Sequence, residues 1–544
     1  MDKVLHWFEE YPELFGNEKR ILFEHGYKLD ERALETERVV RFTGFSLSDP
    51  AREIMIEYPH GYPSFAPTVS SSPQKYPVLC RHHDPLSGHI CCFGFGQERW
   101  NASYTALHVI IETENIIKNY PLNGNIPDDD IVPEPKVCHV DYSNSSILIP
   151  YPFSNYNLHQ MALYDNAKLR IKMEKNNIRG ILTHLNIGKS EEKANAPFID
   201  WYQGERGFQR RNAIIKVLSE SPTFPTNFKD ISIWLKDLFG YPVFPKQQKV
   251  YFFIFPDEWG QRNNIRQAWV GLYINNCNAK WLHCYLVHPD DAVIRTPFGS
   301  TLKDKTVLII GCGSLGSSVA VSLAQEGIKK IILVDFDIYE PGNSIRHQLG
   351  MRSFGFSKVN ALKARIMDIS PTCQVSPIID SIGHMTDEEF IPLIKEADII
   401  VDTTGAHSTA HYLNWNCIKY KKPLIIGSVT NGIWSCEVFR YRPGISGCWS
   451  CWQLRFGSKI PPSAPNNTMQ FAPGCNQPTF VGGAADVYIA SGLISRVVTE
   501  TLVNLNESGK DYILLINRQD GERWEPKFEY FPVSKDERCQ LCRI

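Results

Sequence analysis

The sequence predicts a multidomain protein of α/β and α+β type, with a doubly wound, mainly parallel sheet in its C-terminal part. Three observations carry this. The chain has 544 residues, more than one hydrophobic core serves, so roughly two to four domains are expected. From residue 301 onward, the apolar runs "TVLIIG", "KIILVD", "ADIIVDTT" and "KPLIIGSV" alternate with helical patterns, as in a parallel sheet that binds ligand at the carboxyl ends of its strands. The first of these runs leads straight into "GCGSLGSSVAVSL", a Gly-x-Gly-x-x-Gly turn opening a helix. Net charge is −2, with 43% hydrophobic and 21% charged residues, which fits a globular protein and gives no basic excess for nucleic acid. The opening "MDKVLHWFEEYPELF" lacks the apolar core of a signal peptide, and no run of apolar residues is long enough for a membrane span. The 15 cysteines have no regular disulfide spacing, so thiols and metal ligands in a cytoplasmic protein are expected.

Three regions are expected in order. Residues 1–155 open with a helix, continue with short strands in "ERVVRFTGFSL" and "REIMIEYP", and pass through a Pro-rich stretch to "CRHHDPLSGHICC". In "ASYTALHVIIETENIIKNY", Leu107, Ile110, Ile111, Ile116 and Ile117 fit one face of a helix. The turn-rich segment around "NGNIPDDDIVPEPK" reads as the exit from this region. Residues 156–300 read as a mixed α/β linker domain without a catalytic constellation. Helices are expected over "QRRNAIIKVLSE" and "ISIWLKDLF", and strands over "KVYFFIF", "AWVGLYI" and "WLHCYLV". Residues 301–544 hold the parallel sheet.

The glycine loop brings backbone N–H groups and a helix N-terminus to a phosphate, without saying which nucleotide carries it. Asp335 stands where such folds place an acid on a ribose, so an NAD-dependent oxidoreductase is one reading. The following segment, "LVDFDIYEPGNSIRHQLGMRSFGFSKVNALKARI", adds Asp337, Asn343, Arg346 and Lys358. A hydride-transfer site needs no such cations. An adenylyl-transfer site does, because charge builds on the α-phosphate and on departing pyrophosphate. Further on, Cys448-Trp-Ser-Cys451 and Cys539-Gln-Leu-Cys542 each present two thiols, and two such turns complete a structural zinc site. Between them Cys475 lies in the Gly/Pro-rich "FAPGCNQPTFVGG", ahead of a helical pattern that would lower a thiol's pKa.

With these residues in place, the third region resembles the ThiF-type adenylating enzymes, which include the activating enzymes of ubiquitin-like proteins. The resemblance implies that Gly311, Gly313 and Gly316 form the ATP loop and that Asp335 holds the ribose. Asp337, Asn343, Arg346 and Lys358 would surround the phosphates and Mg²⁺. Much of the family has a further magnesium-binding Asp where this chain has Gly405. Asp402 or water would have to complete the shell. The family also shares the separated cysteine pairs, and the segment around Cys475 is similar to its catalytic-cysteine loops.

The first region resembles ubiquitin-conjugating enzymes in "IEYPHGYPSFAPTV" and in "GHICC", followed by Trp100 and a helix. That register makes Cys91 the catalytic thiol and places Cys92 at an apolar position. The family's His-Pro-Asn is replaced by His82-His83-Asp84-Pro85, so a histidine, a backbone N–H or Asn101 would have to serve for the missing Asn. A conjugating domain ahead of an activating one is similar to the fused conjugation proteins of bacterial CBASS antiphage systems. The resemblance implies that a carboxylate at a protein's flexible C-terminal tail, that of a cGAS/DncV-like nucleotidyltransferase, is adenylated with ATP. It then passes to Cys475, to Cys91, and to an amine such as lysine. Working as a homodimer is implied too. A non-catalytic scaffold with conjugating-like shape is the other reading.

Overall fold

The computed structural model describes residues 5–155, 167–187, 190–193, 207–240, 248–465, 470–471, 478–479, 481–505, 510–518, 524 and 526–543, less 95–96, 123, 125, 143, 175–176 and 276–277.

The first lobe is an antiparallel meander with helices. Strands β1 (Lys28–Leu29), β2 (Val40–Phe45), β3 (Glu53–Tyr58), β4 (Thr68–Ser70) and β5 (His89–Ile90) pair in that order. Alternate side chains Val40 and Phe42, and Ile54, Ile56 and Tyr58, point inward, as a half-buried sheet requires. Helices α1 (Pro12–Glu24) and α2 (Ala106–Asn119) belong to the same lobe. On α2 the buried stripe is Ala106, Val109, Ile110, Thr113, Ile116 and Ile117, spaced three and four apart. Leu107 and Ile111, expected on that stripe, are instead exposed. They sit one position off it, so they rotate about 100° away.

The second sheet runs β6 (Ser146–Ile149), β13 (Asn278–Leu286), β12 (Gln261–Asn275), β11 (Lys249–Trp259), β10 (Gln209–Val217), β7 (Ala167–Glu174), β8 (Asn177–Ile187), β9 (Ser190–Lys193). A further pairing of β6 with β8 closes it into a barrel, with β9 at the rim. Ile171, Ile181, Phe252, Ile254, Trp269 and Leu282 fill one face. Helix α3 (Phe228–Phe239) covers part of the other through Ile231 and Leu235, against Phe253, Phe255 and Trp281. With both its faces covered, β11 reads as an unbroken apolar run. The stretch "QRRNAIIKV", expected to be helical, is strand β10. Its Ala213 and Ile215 are buried at alternate positions, a period of two.

The third sheet has order β16 (Gln374–Ile378), β15 (Lys330–Val334), β14 (Thr306–Ile310), β17 (Ile399–Asp402), β18 (Leu424–Val429), β19 (Ser435–Tyr441), β22 (Tyr512–Ile516), β23 (Lys527–Phe531). The first five are parallel and the last three antiparallel to their neighbours. Helices α4 (Ser314–Gln325), α5 (Lys358–Ile369), α6 (Asp387–Glu396), α7 (His407–Tyr420), α8 (Trp449–Phe456) and α9 (Ala484–Leu502) accompany it. Two apolar clusters lie on its opposite faces, one with Val307 and Ile309, the other with Leu308 and Ile310. The order turns at β14, which pairs with β15 on one side and β17 on the other. A crevice opens at such a turn, at the carboxyl ends of the strands. Strands β20 (Gln470–Phe471) and β21 (Pro478–Thr479) pair as a small antiparallel ribbon. Among the described residues no helix is long and apolar enough to cross a membrane.

Candidate functional site

The glycine loop leaves β14 at the turning point of the sheet, and each glycine has its own reason. Gly311 has φ +85, and a Cβ there would stand 2.9 Å from the Thr404 methyl. A Cβ on Gly316 would lie 1.9 Å from the Gly311 carbonyl oxygen, so only glycine lets α4 seat against the loop. Gly313 is the N-cap of α4 and has no atom within 4 Å of a built Cβ. Its open side leaves space at the free N–H groups of a long helix, the feature an anion uses.

Asp335, at the end of β15, accepts the Cys312 N–H at 2.6 Å and the Asp337 N–H at 2.8 Å. It therefore ties the loop to the neighbouring strand, while each of its oxygens retains a second lone pair for a hydroxyl. Lys358, at the start of α5, pairs with Asp337 at 2.8 Å. Asp335, Asp337, Lys358 and the loop are thus brought together. Asn343 has a local partner, its Oδ1 accepting the Glu340 N–H at 3.1 Å, whereas Arg346 reaches across the fold to the Gly482 carbonyl at 3.5 Å. That contact sets a half-buried guanidinium, its pKa lowered by burial, beside the segment following Cys475. Cys475 itself lies outside the described residues.

Asp402 ends β17 and is only 1% exposed. Its Oδ1 accepts both the N–H and the hydroxyl of Thr404, while Oδ2 is buried without a hydrogen-bond partner. Burial pushes its pKa up to about 6. A hard cation takes such an oxygen, so Asp402 fits a magnesium ligand better than Gly405, which offers no side chain. One neighbour went unrecognised in the sequence. His347 is buried, donates from Nε2 to the Cys312 carbonyl at 2.8 Å and accepts the Leu349 N–H on Nδ1 at 3.1 Å. Burial pushes its pKa down to about 4, so it is a neutral brace under the loop. Its place directly after Arg346 was the only available signal.

The two cysteine pairs converge. Cys448 caps α8, and the sulfurs of Cys448, Cys451, Cys539 and Cys542 all lie within 4.8 Å of one another. The contacts are 3.6 Å for Cys448–Cys539, 3.4 Å for Cys451–Cys542 and 3.9 Å for Cys448–Cys451. Four thiolates about 2.3 Å from one tetrahedral ion sit about 3.8 Å apart, so the set fits zinc. The backbone N–H of Asp536 also points at Cys451 Sγ, 3.3 Å away, the kind of donor that supports a thiolate ligand.

In the first lobe, Cys91 follows β5 and is half-buried in a cleft of about 670 Å³. Its N–H is donated to the His82 carbonyl at 2.9 Å. Cys92 points the other way, into the core against Thr113 Oγ1 at 3.4 Å, and burial pushes its pKa up to about 12. His83 is buried, which lowers its pKa, and it accepts the Leu79 N–H on Nδ1 and donates from Nε2 to the Ser71 carbonyl, so both ring nitrogens are engaged in bracing the loop. Asn101 spends its carbonyl oxygen on the Ser103 N–H and hydroxyl. The carboxamides lining the Cys91 cleft belong to Asn115 and Asn119, one turn apart on α2, which the sequence reading passed over.

The supposed exit segment is a strap over this cleft. Asp129, Asp130 and Val132 line it. Arg81, 5% exposed, pairs with Asp130 at 3.1 Å and with Glu258 of the barrel at 3.6 Å, and the guanidinium donates to the Val132 carbonyl. Glu134 accepts the His82 N–H, while its own N–H reaches Glu258 at 2.8 Å. Arg262 donates to the carbonyls of Pro127 and Asp130, and Asp257 accepts the N–H groups of Lys136 and Val137. Burial first, then the charges of Glu134, Asp84 and Glu98, raise the Cys91 pKa, opposed by Arg99. The thiolate fraction at neutral pH is therefore small. Alkylation of Cys91 by iodoacetamide, read by peptide mass spectrometry, should keep accelerating above pH 9; a plateau below pH 8 would contradict this charge environment.

A parallel sheet with a glycine loop at its turning point defines a doubly wound domain of nucleotide-binding type. Residues 291–529, in the C-terminal half of the chain, match the ThiF family. Among curated proteins, the chain is similar to the uncharacterized protein y4oA of Sinorhizobium fredii, 30% identical over 266 residues, covering 46% of this chain and 45% of that protein. It is also similar to the molybdopterin-synthase adenylyltransferase of Escherichia coli, 31% identical over 157 residues, covering 29% of this chain and 61% of that protein. The chain spans about half the length of the curated relatives it matches. Among solved structures, E. coli MccB with ATP is 24% identical with a TM-score of 0.34, covering 45% of this chain and 68% of that one.

Proposed function

We propose that this chain uses ATP to activate a protein's C-terminal carboxylate and relays the acyl group through two thiols to an amine. One observation carries the reading: a domain that matches the ThiF family shares a chain with a half-buried thiol, Cys91, seated in a cleft of its own in a separate lobe. A carboxylate is a poor electrophile, and adenylation makes it a good one, with pyrophosphate departing. The helix N-terminus at Gly313 and the cation of Lys358 supply the positive field for the phosphates. Asp335 takes the ribose, and Asn343 and Arg346 join Lys358 around the phosphates. Asp402 with Asp337 would hold Mg²⁺, which neutralises phosphate charge when bound. Cys475 attacks the acyl adenylate and releases AMP. Cys91 takes the acyl group by transthioesterification, and an incoming lysine amine closes the amide. Splitting the condensation this way keeps the carbonyl activated at every step. The carboxamides of Asn115 and Asn119 are the proposed oxyanion donors at Cys91; an Asn115→Ala/Asn119→Ala protein that ligates at the wild-type rate would remove that role.

Zinc at the four cysteines would fasten the segment around Cys539 to α8. A homodimer is proposed as well. Phe336, Ile338, Ile345, Met351, Phe354 and Phe356 are each more than half exposed, a concentration of apolar surface that a second copy would cover. By the resemblance to CBASS conjugation proteins, the carboxylate belongs to a cGAS/DncV-like nucleotidyltransferase. The chain incubated with ATP–Mg²⁺ and such a protein should give carboxylate-dependent pyrophosphate exchange and a thiol-sensitive adduct on a non-reducing gel. On a sizing column it should run as two copies, and Phe354→Asp as one. Stabilisation by NAD(H) with none by ATP–Mg²⁺ would overturn the reading.

A further inference from the structure

We propose that the strap, residues 126–136, is a gate over Cys91, held shut by the hairpin of β11 and β12. Its purpose rests on the proposed role of Cys91, because a transfer thiol has to meet an acyl carrier and then an amine, each part of another protein. In the closed form, Asp129, Asp130 and Val132 of the strap wall the cleft that holds the thiol. Pro127, Pro133 and Pro135 fix φ at three positions, so the strap moves as one stiff piece.

Charges and hydrogen bonds hold the strap along its length. Near its start, Arg262 donates to the carbonyls of Pro127 and Asp130 at 2.7 and 3.1 Å. In its middle, Asp130 pairs with Arg81, which also meets Glu258 on β11. At its end, Asp257 accepts the N–H groups of Lys136 and Val137 at 2.9 and 3.0 Å. Apolar burial adds little, since Ile131 is 64% and Val132 38% exposed. Water can replace each hydrogen bond as the strap lifts, so each holds it by only about 0.5–1.5 kcal/mol net. A segment with few buried apolar contacts opens locally at low free energy. The hairpin is the fixed side. Its strands pair continuously from Lys249 opposite Ile274 to Glu258 opposite Ile265. Beyond the strap it is tied to a second element, the short helix Asp290–Arg295 and the turn before it. There Arg266 pairs with Asp290 at 2.5 Å, and the Trp259 and His288 rings meet at 4.9 Å. Opening therefore lifts the strap from the hairpin, and the hairpin stays in place.

Two reagents of one chemistry and different bulk, N-ethylmaleimide and fluorescein maleimide, test this on the full chain. Each rate is read by mass spectrometry as disappearance of the unmodified Cys91 peptide. The ratio of the two rates cancels the thiolate fraction and leaves access. Ligation is not measured, so the gate can fail while the two-thiol relay stands, and the converse. A strap whose open form holds about 0.1–10% of molecules should slow the bulky reagent relative to the small one by about tenfold or more, against a short cysteine peptide. Asp257→Ala/Arg262→Ala, folded by circular dichroism, should bring the ratio back toward the peptide's. If that double variant does not fold, Arg262→Ala alone should move it the same way. A wild-type ratio equal to the peptide's would overturn the gate without any variant. So would a folded variant in which both reagents speed up alike, the result that charge alone would give, or one in which the ratio does not move.

Discussion

Cys91→Ala should abolish ligation while leaving carboxylate-dependent ATP–pyrophosphate exchange at the wild-type rate. The two activities separate because the proposed chemistry is divided between lobes. The glycine loop, Asp335 and Lys358 meet at the carboxyl ends of β14 and β15. Cys91 lies beyond a different sheet, in a cleft closed by α2 and the strap. Removing a nucleophile costs on the order of 10⁶-fold in well-studied hydrolases, so ligation should fall below detection. The acyl group should then accumulate on Cys475 as an adduct cleaved by reducing agent. Cys475→Ala should retain exchange and form no transfer thioester at all. Normal ligation by Cys91→Ala would refute the two-thiol relay while leaving adenylation untouched.

The second large effect concerns stability. Cys539→Ser should lower zinc content from one ion per chain toward zero and cost several kcal/mol, much of the roughly 5–15 kcal/mol that holds a domain folded. The four sulfurs join parts of the chain far apart in sequence, and Cys448, Cys451 and Cys539 are buried with them. A three-thiol remnant would bind the ion weakly and leave buried polar sulfur behind. Metal analysis with thermal melting reads both consequences, and a strong chelator should reproduce the loss in the wild-type protein. Unchanged melting with no metal in either protein would show that the sulfurs hold nothing.

What could be read from the chain beforehand follows the range of the interactions. The Gly311–Gly316 turn was legible because its cause is local: positive φ at Gly311 and a missing Cβ at Gly316 leave no other residue possible. The runs "TVLII", "KIILV", "IIVD" and "LIIGSV" were legible because strands buried on both faces are continuously apolar. The convergence of the Cys448 and Cys539 turns was legible because cysteine pairs at that spacing have few other uses. The barrel was not, since its closure rests on β6 finding β8 and its seven-strand circuit on pairings remote in sequence. "QRRNAIIKV" misled because four polar residues, Gln209 to Asn212, precede its alternation. Asn115 and Asn119 were hidden by the apolar stripe on the same helix. Arg346 was readable as a cation, but its contact with Gly482 depends on a fold that brings distant loops together.

The strap bears on how this protein can be dissected. Trimming the chain near residue 125 would seem a natural way to obtain the Cys91 lobe alone. Such a fragment would lose Asp129, Asp130 and Glu134, and Arg81 would lose its buried ionic partners. Its cysteine would titrate lower and react faster than in the parent molecule. Rates measured on the isolated lobe would therefore overstate the thiol's reactivity in the whole molecule, and strands β11 and β12, which carry Asp257, Glu258 and Arg262, have to accompany any preparation meant to report on it.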